Sequence, residues 1–175
     1  MIKSLRSWLG VENVPAPEQA PLRELVGALD SLEPARAQHL ARFAYLLGRV
    51  AHADRDVSNE EREAMESLVR EEGRLTADQA MLVVSLAKSS NLLFGGTADY
   101  TVAREFSEAA TYDEKLALAR CLFAVASVDE RISMPEETEI HRITSQLRIH
   151  PSDLKTLRIA HRDVLPGLGR RDPST

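Results

Sequence analysis

Leu116-Ala117-Leu118-Ala119-Arg120-Cys121-Leu122-Phe123-Ala124-Val125-Ala126-Ser127-Val128 is the stretch on which the fold turns. Only Arg120 and Ser127 interrupt its apolar run, and it holds no Gly or Pro. Such a run outlasts an ordinary strand, so it reads as a helix apolar on most faces, one that needs neighbours all round it. Upstream, Leu40–Ala53 is nearly as apolar, broken by Arg42, Tyr45, Arg49 and His52. Two such helices belong at the centre of a bundle, with one-sided helices packed about them.

Helix starts elsewhere are marked by a Ser or Thr followed three residues later by Glu or Gln, the pairing in which each side chain satisfies the other's backbone N–H. Ser58…Glu61, Thr76…Gln79, Thr111…Glu114 and Ser133…Glu136 all have it. Pro21, Pro34 and Pro151 suit the first turns of three further helices. Strand signals and Asn-Gly or Asp-Gly hairpin turns are wanting. The expectation is an all-α, single-domain helical bundle of about seven or eight helices.

An offset of 75 residues lays His39–Asp78 on Glu114–Asp153 with eight identities, among them Asp54/Asp129, Ser58/Ser133 and Glu61/Glu136 at the same internal spacing. Each copy runs from an apolar helix through an Asp and a short turn to an acidic amphipathic helix. The bundle is therefore read as an internally duplicated helix-turn-helix pair, repeat 1 over about 36–78 and repeat 2 over about 111–153. A pseudo-two-fold axis would relate the two apolar helices.

Lys+Arg 22 against Asp+Glu 27 gives a net charge of −5, which argues against a binder that neutralises nucleic-acid phosphates. The single Cys excludes an internal disulfide and a thiolate zinc site. The mild acidity is uneven along the chain. Residues 54–66 hold six acids against two arginines and residues 129–139 five against one, so each turn region is net −4 and the rest of the chain is net +3. Carboxylates converging from two such turns repel unless a cation sits between them, and oxygen donors suit a hard divalent ion. The same acids also fit helix starts, where they complement the dipole and form capping boxes. Asp54-x-Asp56-x-Ser58 begins like an EF-hand loop, but Asn59 and Met65 occupy its glycine and glutamate positions.

The segments Val50–Glu61 and Val125–Glu136 resemble the paired signature of the TerB-like tellurite-resistance family, roughly Ala-x-x-Asp-Gly-x-Ile-Ser-x-x-Glu. Tyr100–Phe106 and Thr111–Lys115 are similar to its small, stand-alone bacterial branch. The likeness covers about residues 36–160. It implies an all-helical cytoplasmic bundle with a divalent metal at the motif acids, here Asp54 and Glu61, Asp129 and Glu136, with Asp56 as an extra ligand. Arg55 and Glu130 stand where the family has Gly. If that position needs φ > 0, each replacement costs on the order of 1–2 kcal/mol.

Other candidates point to structure. His52, two residues before Asp54, could add a nitrogen ligand but reads more simply as a cation favoured by a helix's last turn, and His39, His141, His150 and His161 form no ligand-spaced pair. Cys121 falls within the apolar run, as a core residue. Arg42, Arg104 and Arg120 are scattered, which favours ion pairs over an anion site. Gly95-Gly96 lacks the Lys-Ser/Thr of a phosphate loop. No set of nucleophile, base and oxyanion donors assembles, so no enzyme is expected.

The ends complete the division. Residues 1–20 read as a short amphipathic helix (Ile2, Leu5, Trp8 and Leu9 on one face) and a linker through Pro15, Pro17 and Pro21; residues 21–165 as the bundle; residues 166–175 as a flexible tail. No apolar stretch is long enough to span a membrane, and no signal peptide is visible. Residues 2–9 offer at most a peripheral membrane contact or a docking helix for a protein partner or second copy. The expected function is a metal-binding, stress-related module. Its alternative is an interaction scaffold whose acids only cap helices.

Overall fold

Small capping groups set the helix starts. In the computed structural model, which describes residues 2–51, 59–89, 99–128 and 132–161, the helices are α1 (Ile2–Leu9), α2 (Ala16–Asp30), α3 (Pro34–Val50), α4 (Asn59–Gly73), α5 (Ala77–Lys88), α6 (Asp99–Ala109), α7 (Tyr112–Ala126), α8 (Met134–Gln146) and α9 (Pro151–Ala160). A 3-10 turn, Val11–Asn13, follows α1. Among the described residues there is no strand. The all-α bundle read from the sequence is the observed fold.

Thr111 and Ser133 head α7 and α8 with complete capping boxes. Thr76 caps α5 through its hydroxyl, accepting from the Gln79 N–H, while the Gln79 side chain turns away and accepts from Arg36 Nη2 at 2.7 Å. Ser58 lies outside the described residues. Pro34 and Pro151 open α3 and α9, where a missing N–H costs nothing. Helix α4 stops by geometry rather than composition: Arg74 takes φ 53, and the Leu75 N–H reaches back to the Arg70 carbonyl at 3.2 Å. That is the left-handed stop usually given to Gly.

Pro21 departs from expectation. The segment read as a linker is helical from Ala16, and Pro21 sits inside α2. A proline there removes one helical hydrogen bond and costs about 3 kcal/mol. The apolar stripe Leu22, Val26 and Leu29, each at most 3% exposed, offsets this at about 1.5–3 kcal/mol per side chain. Gln19 also donates from Nε2 to the Val14 carbonyl at 2.6 Å, pinning the helix entrance. Upstream, Gly10 turns the chain at φ 71, Leu9, Val11 and Val14 are buried, and Trp8 lies against Tyr45 with ring centroids 6.1 Å apart.

Helix α3 is the hub, packing on α2, α5, α6, α7 and α8, while α4 packs on α5 and α7. The apolar faces of α3 and α7 are buried, as their sequences require. Buried side chains from Leu9 to Ile149 form one continuous cluster. Helix α9 buries no residue fully. It is held by half-buried Leu154 and Leu157, by Tyr112 donating to Asp153 and by an Arg158–Glu137 ion pair.

Candidate metal centre

Of the acids singled out by the sequence, Asp54, Asp56 and Asp129 lie outside the described residues. Glu61 falls in the first turn of α4, its side chain likewise outside them. Glu136 is described fully, and its position is decided by the start of α8. The Ser133 N–H donates to its Oε2 at 2.7 Å, and its own N–H donates to Ser133 Oγ at 3.3 Å. Only 9% of Glu136 is exposed, and Ile132, the residue before the cap Ser133, is buried in the core. Capping engages Oε2. A carboxylate has two oxygens with about four lone-pair directions, so a cap and a bond to a hard cation are chemically compatible.

The other acids of the second region are engaged in ion pairs. Glu137 pairs with Arg158 of α9. Glu139 Oε1 accepts from Arg49 Nε at 3.0 Å and from Arg142 Nη2 at 3.3 Å. The Arg49 contact matters most for placement. Arg49 is in the last turn of α3, just before the first acidic turn, and Glu139 is in α8, just after the second. In the first region, Glu60 and Glu63 are exposed, and Glu66 stands 3.8 Å from Arg62 one turn back on the same helix. Among the described residues, no three of His, Cys, Asp and Glu gather into a metal-binding group.

A match to the TerB family, described as Tellurite resistance protein TerB, spans residues 39–159. The chain belongs to the TerB family. No curated protein and no solved structure matches it. This TerB-family chain has no helix among its described residues long and apolar enough to cross a membrane.

Cys121 is sealed in the core, where burial, and secondarily the Glu72 carboxylate, push its thiol up to about 12. The scattered arginines make the ion pairs expected of them: Arg42 with Glu105 at 3.1 Å, Arg104 with Glu108 at 3.9 Å and Arg120 with Glu72 at 3.6 Å. His52 and the Gly95-Gly96 pair lie outside the described residues.

What the sequence reading passed over is a cleft along α3, lined by Arg36, His39 and Arg42 and faced by Phe106 of α6 and Glu114 of α7. Its signal was present as a three-residue spacing, which places those side chains along one side of a helix. The residues completing the cleft, however, come from far along the chain.

Proposed function

We propose that this TerB-family protein is a non-enzymatic helical module that binds a divalent cation between its two acidic turns and serves a tellurite- or stress-response system in the cytoplasm. Asp54, Asp56 and Glu61 would supply oxygens from one turn, Asp129 and Glu136 from the other. The observation that carries this reading is the 3.0 Å contact of Arg49 with Glu139. It ties the helix entering the first turn to the helix leaving the second, the neighbourhood that a shared ion requires. An origin by internal duplication is supported by the packing of α3 against α8 and of α4 against α7, the exchange that a two-fold relation would produce.

The test is calorimetry on chelator-treated protein with Ca²⁺, Mg²⁺, Mn²⁺ and Zn²⁺, repeated with Asp54→Ala/Asp129→Ala. A bound ion at about 100 times its Kd adds about 2.7 kcal/mol of stability, a rise of about 5–10 °C for a chain of this size. Absence of both heat and melting shift at millimolar metal refutes the reading. So does an undiminished response in the double variant.

A second reading, an interaction scaffold, draws on Glu137 and Glu139 being engaged by arginines and on two large apolar side chains left exposed, Met134 at 63% and Ile159 at 59%. Under it, Met134→Ser/Ile159→Ser abolishes self-association or partner capture and leaves the melting temperature alone. Unchanged sedimentation and capture in that variant count against it.

A further inference from the structure

We propose that α9 is a releasable strap, which leaves the bundle as a unit while α2–α8 stay folded, uncovering Phe123 of α7 and freeing Glu137 of α8. This inference is independent of the metal reading and uses none of its residues.

The sequence correspondence at 75 residues shows what α9 lacks. Carried on past Asp78/Asp153, it lays α5 on α9, so that Ala80, Val83 and Leu86 match Lys155, Arg158 and His161. In α5 those three side chains are at most 1% exposed, and the helix packs on α2, α3 and α4. Their counterparts in α9 are all polar, and among the described residues α9 packs broadly on no other helix. Its apolar anchorage is half-buried Leu154 and Leu157. An element with so few buried apolar contacts opens for much less than the free energy of global unfolding.

Polar clasps hold α9 at both ends instead. At its start, the Tyr112 hydroxyl of α7 donates to Asp153 Oδ2 and accepts from the His150 N–H at 3.1 Å. The Tyr112 and His150 rings lie 5.1 Å apart. At its end, Arg158 donates to Glu137 of α8, and the His161 ring stacks on Phe123 of α7 with centroids 5.3 Å apart and planes at 21°. His161 Nδ1 is 3.0 Å from the Leu157 carbonyl, which ties that ring to its own helix. Water can replace the polar partner of each clasp once α9 is away, so release leaves no donor or acceptor sealed and unpaired.

Clasps at both ends distinguish a strap from a fraying terminus. A fraying helix opens from its last turn and leaves the Tyr112 contact in place. A helix held at one end by Tyr112 and at the other by Glu137 and Phe123 comes away when all of them let go, so a contact at its start governs the protection of its last turn. Docked, α9 withholds the face of Phe123 now under His161 and the Glu137 carboxylate now on Arg158. Released, it presents both beside the first turn of α8.

Amide hydrogen exchange on the full chain tests this, read at residues 154–160 against the buried turns of α3 and α7. Corrected for intrinsic rates, the α9 amides should exchange at one common pace, at least ~100-fold faster than those of α7. Tyr112→Phe should speed the whole set by ~10-fold or more, last turn included, the loss of a hydrogen bond to a charged acceptor. Arg158→Gln should speed the same set by about 2–5-fold, Leu154 at the opposite end included, as the loss of a partly exposed ion pair. Arg62→Gln breaks a pair within α4, 3.8 Å from Glu66, and should leave α9 exchange unchanged. Exchange of α9 at the pace of α7 overturns the proposal, because α9 then opens only with the whole molecule. A gradient rising toward Ala160 whose last turn ignores Tyr112→Phe also overturns it, because that is fraying.

Discussion

Replacing Glu136 in two ways separates a carboxylate that caps a helix from one that holds a cation. Glu136→Gln keeps an oxygen to accept the Ser133 N–H now at 2.7 Å and keeps the side chain's volume. It gives up the negative charge at the N-terminus of α8, a term of about 0.3–1 kcal/mol. Glu136→Ala leaves a nearly buried N–H without its acceptor, about 1–3 kcal/mol, and removes one packed methylene, about 0.8 kcal/mol more. In chelator, thermal and urea unfolding should thus show a loss of up to about 1 kcal/mol for the glutamine and about 2–4 for the alanine. At about 2–4 °C per kcal/mol for a chain of this size, the melting points should separate by several degrees. With saturating Ca²⁺ or Mg²⁺ the order of effects changes. Wild type should rise, and Glu136→Gln, intact as a cap but poorer as a ligand, should rise clearly less. Equal losses for the two variants in chelator would refute the capping account. A full metal-induced rise in Glu136→Gln would remove Glu136 from the ligand set.

Three further outcomes follow from other parts of the molecule. Arg74 holds φ 53 at the end of α4, so Arg74→Gly should stabilise by about 1 kcal/mol, the steric cost of that conformation; a lower urea midpoint would contradict it. A Cβ on Gly73 would meet Cys121 Sγ at 3.3 Å and Phe43 Cζ at 3.4 Å, so Gly73→Ala should cost about 1–3 kcal/mol and recover in part when combined with Cys121→Ala; strict additivity in the double-mutant cycle would show that the contact is unimportant. His39 binds its proton less readily folded than unfolded, so its contribution is complete above pH 6.5 and is lost as pH falls through its lowered pKa. Glu114 is also held below its usual 4.5, burial opposing and the Thr111 cap, His39 and Arg36 outweighing it, so its contribution disappears only at lower pH. His39→Gln should therefore flatten the stability profile just below pH 6.5 and spare the more acidic fall; an unaltered profile would exclude His39.

Legibility followed the range of the interactions. Thr76, Thr111 and Ser133 announce their helices because a cap closes within three residues, and the burial of α3 and α7 is written in their composition. Pro21 misled because its cost is local whereas the compensation comes from Leu22, Val26 and Leu29 meeting the rest of the core. The acidic regions show the same limit. Charge counts found them, but Glu139 meets Arg49 across 90 residues of sequence and Glu137 meets Arg158 across 21, and no spacing rule reaches that far. The cleft on α3 escaped for the same reason, since Glu105, Phe106 and Glu114 arrive from α6 and α7. Asp54, Asp56 and Asp129 lie outside the described residues, so the ligand set rests on motif resemblance and on Glu136.

The buried positions before α3 bear on how this chain can be divided. The TerB match begins at His39, within α3, whereas Leu9, Val14, Leu22, Val26 and Leu29 belong to the same closed core as the matched helices. A fragment trimmed to the matched span would start partway along its central helix and leave that helix's neighbours facing water. The border recognisable by kinship and the border at which the chain can fold alone are therefore different. Any experiment that borrows this module, by fusion or transplantation, has to carry the first 38 residues with it.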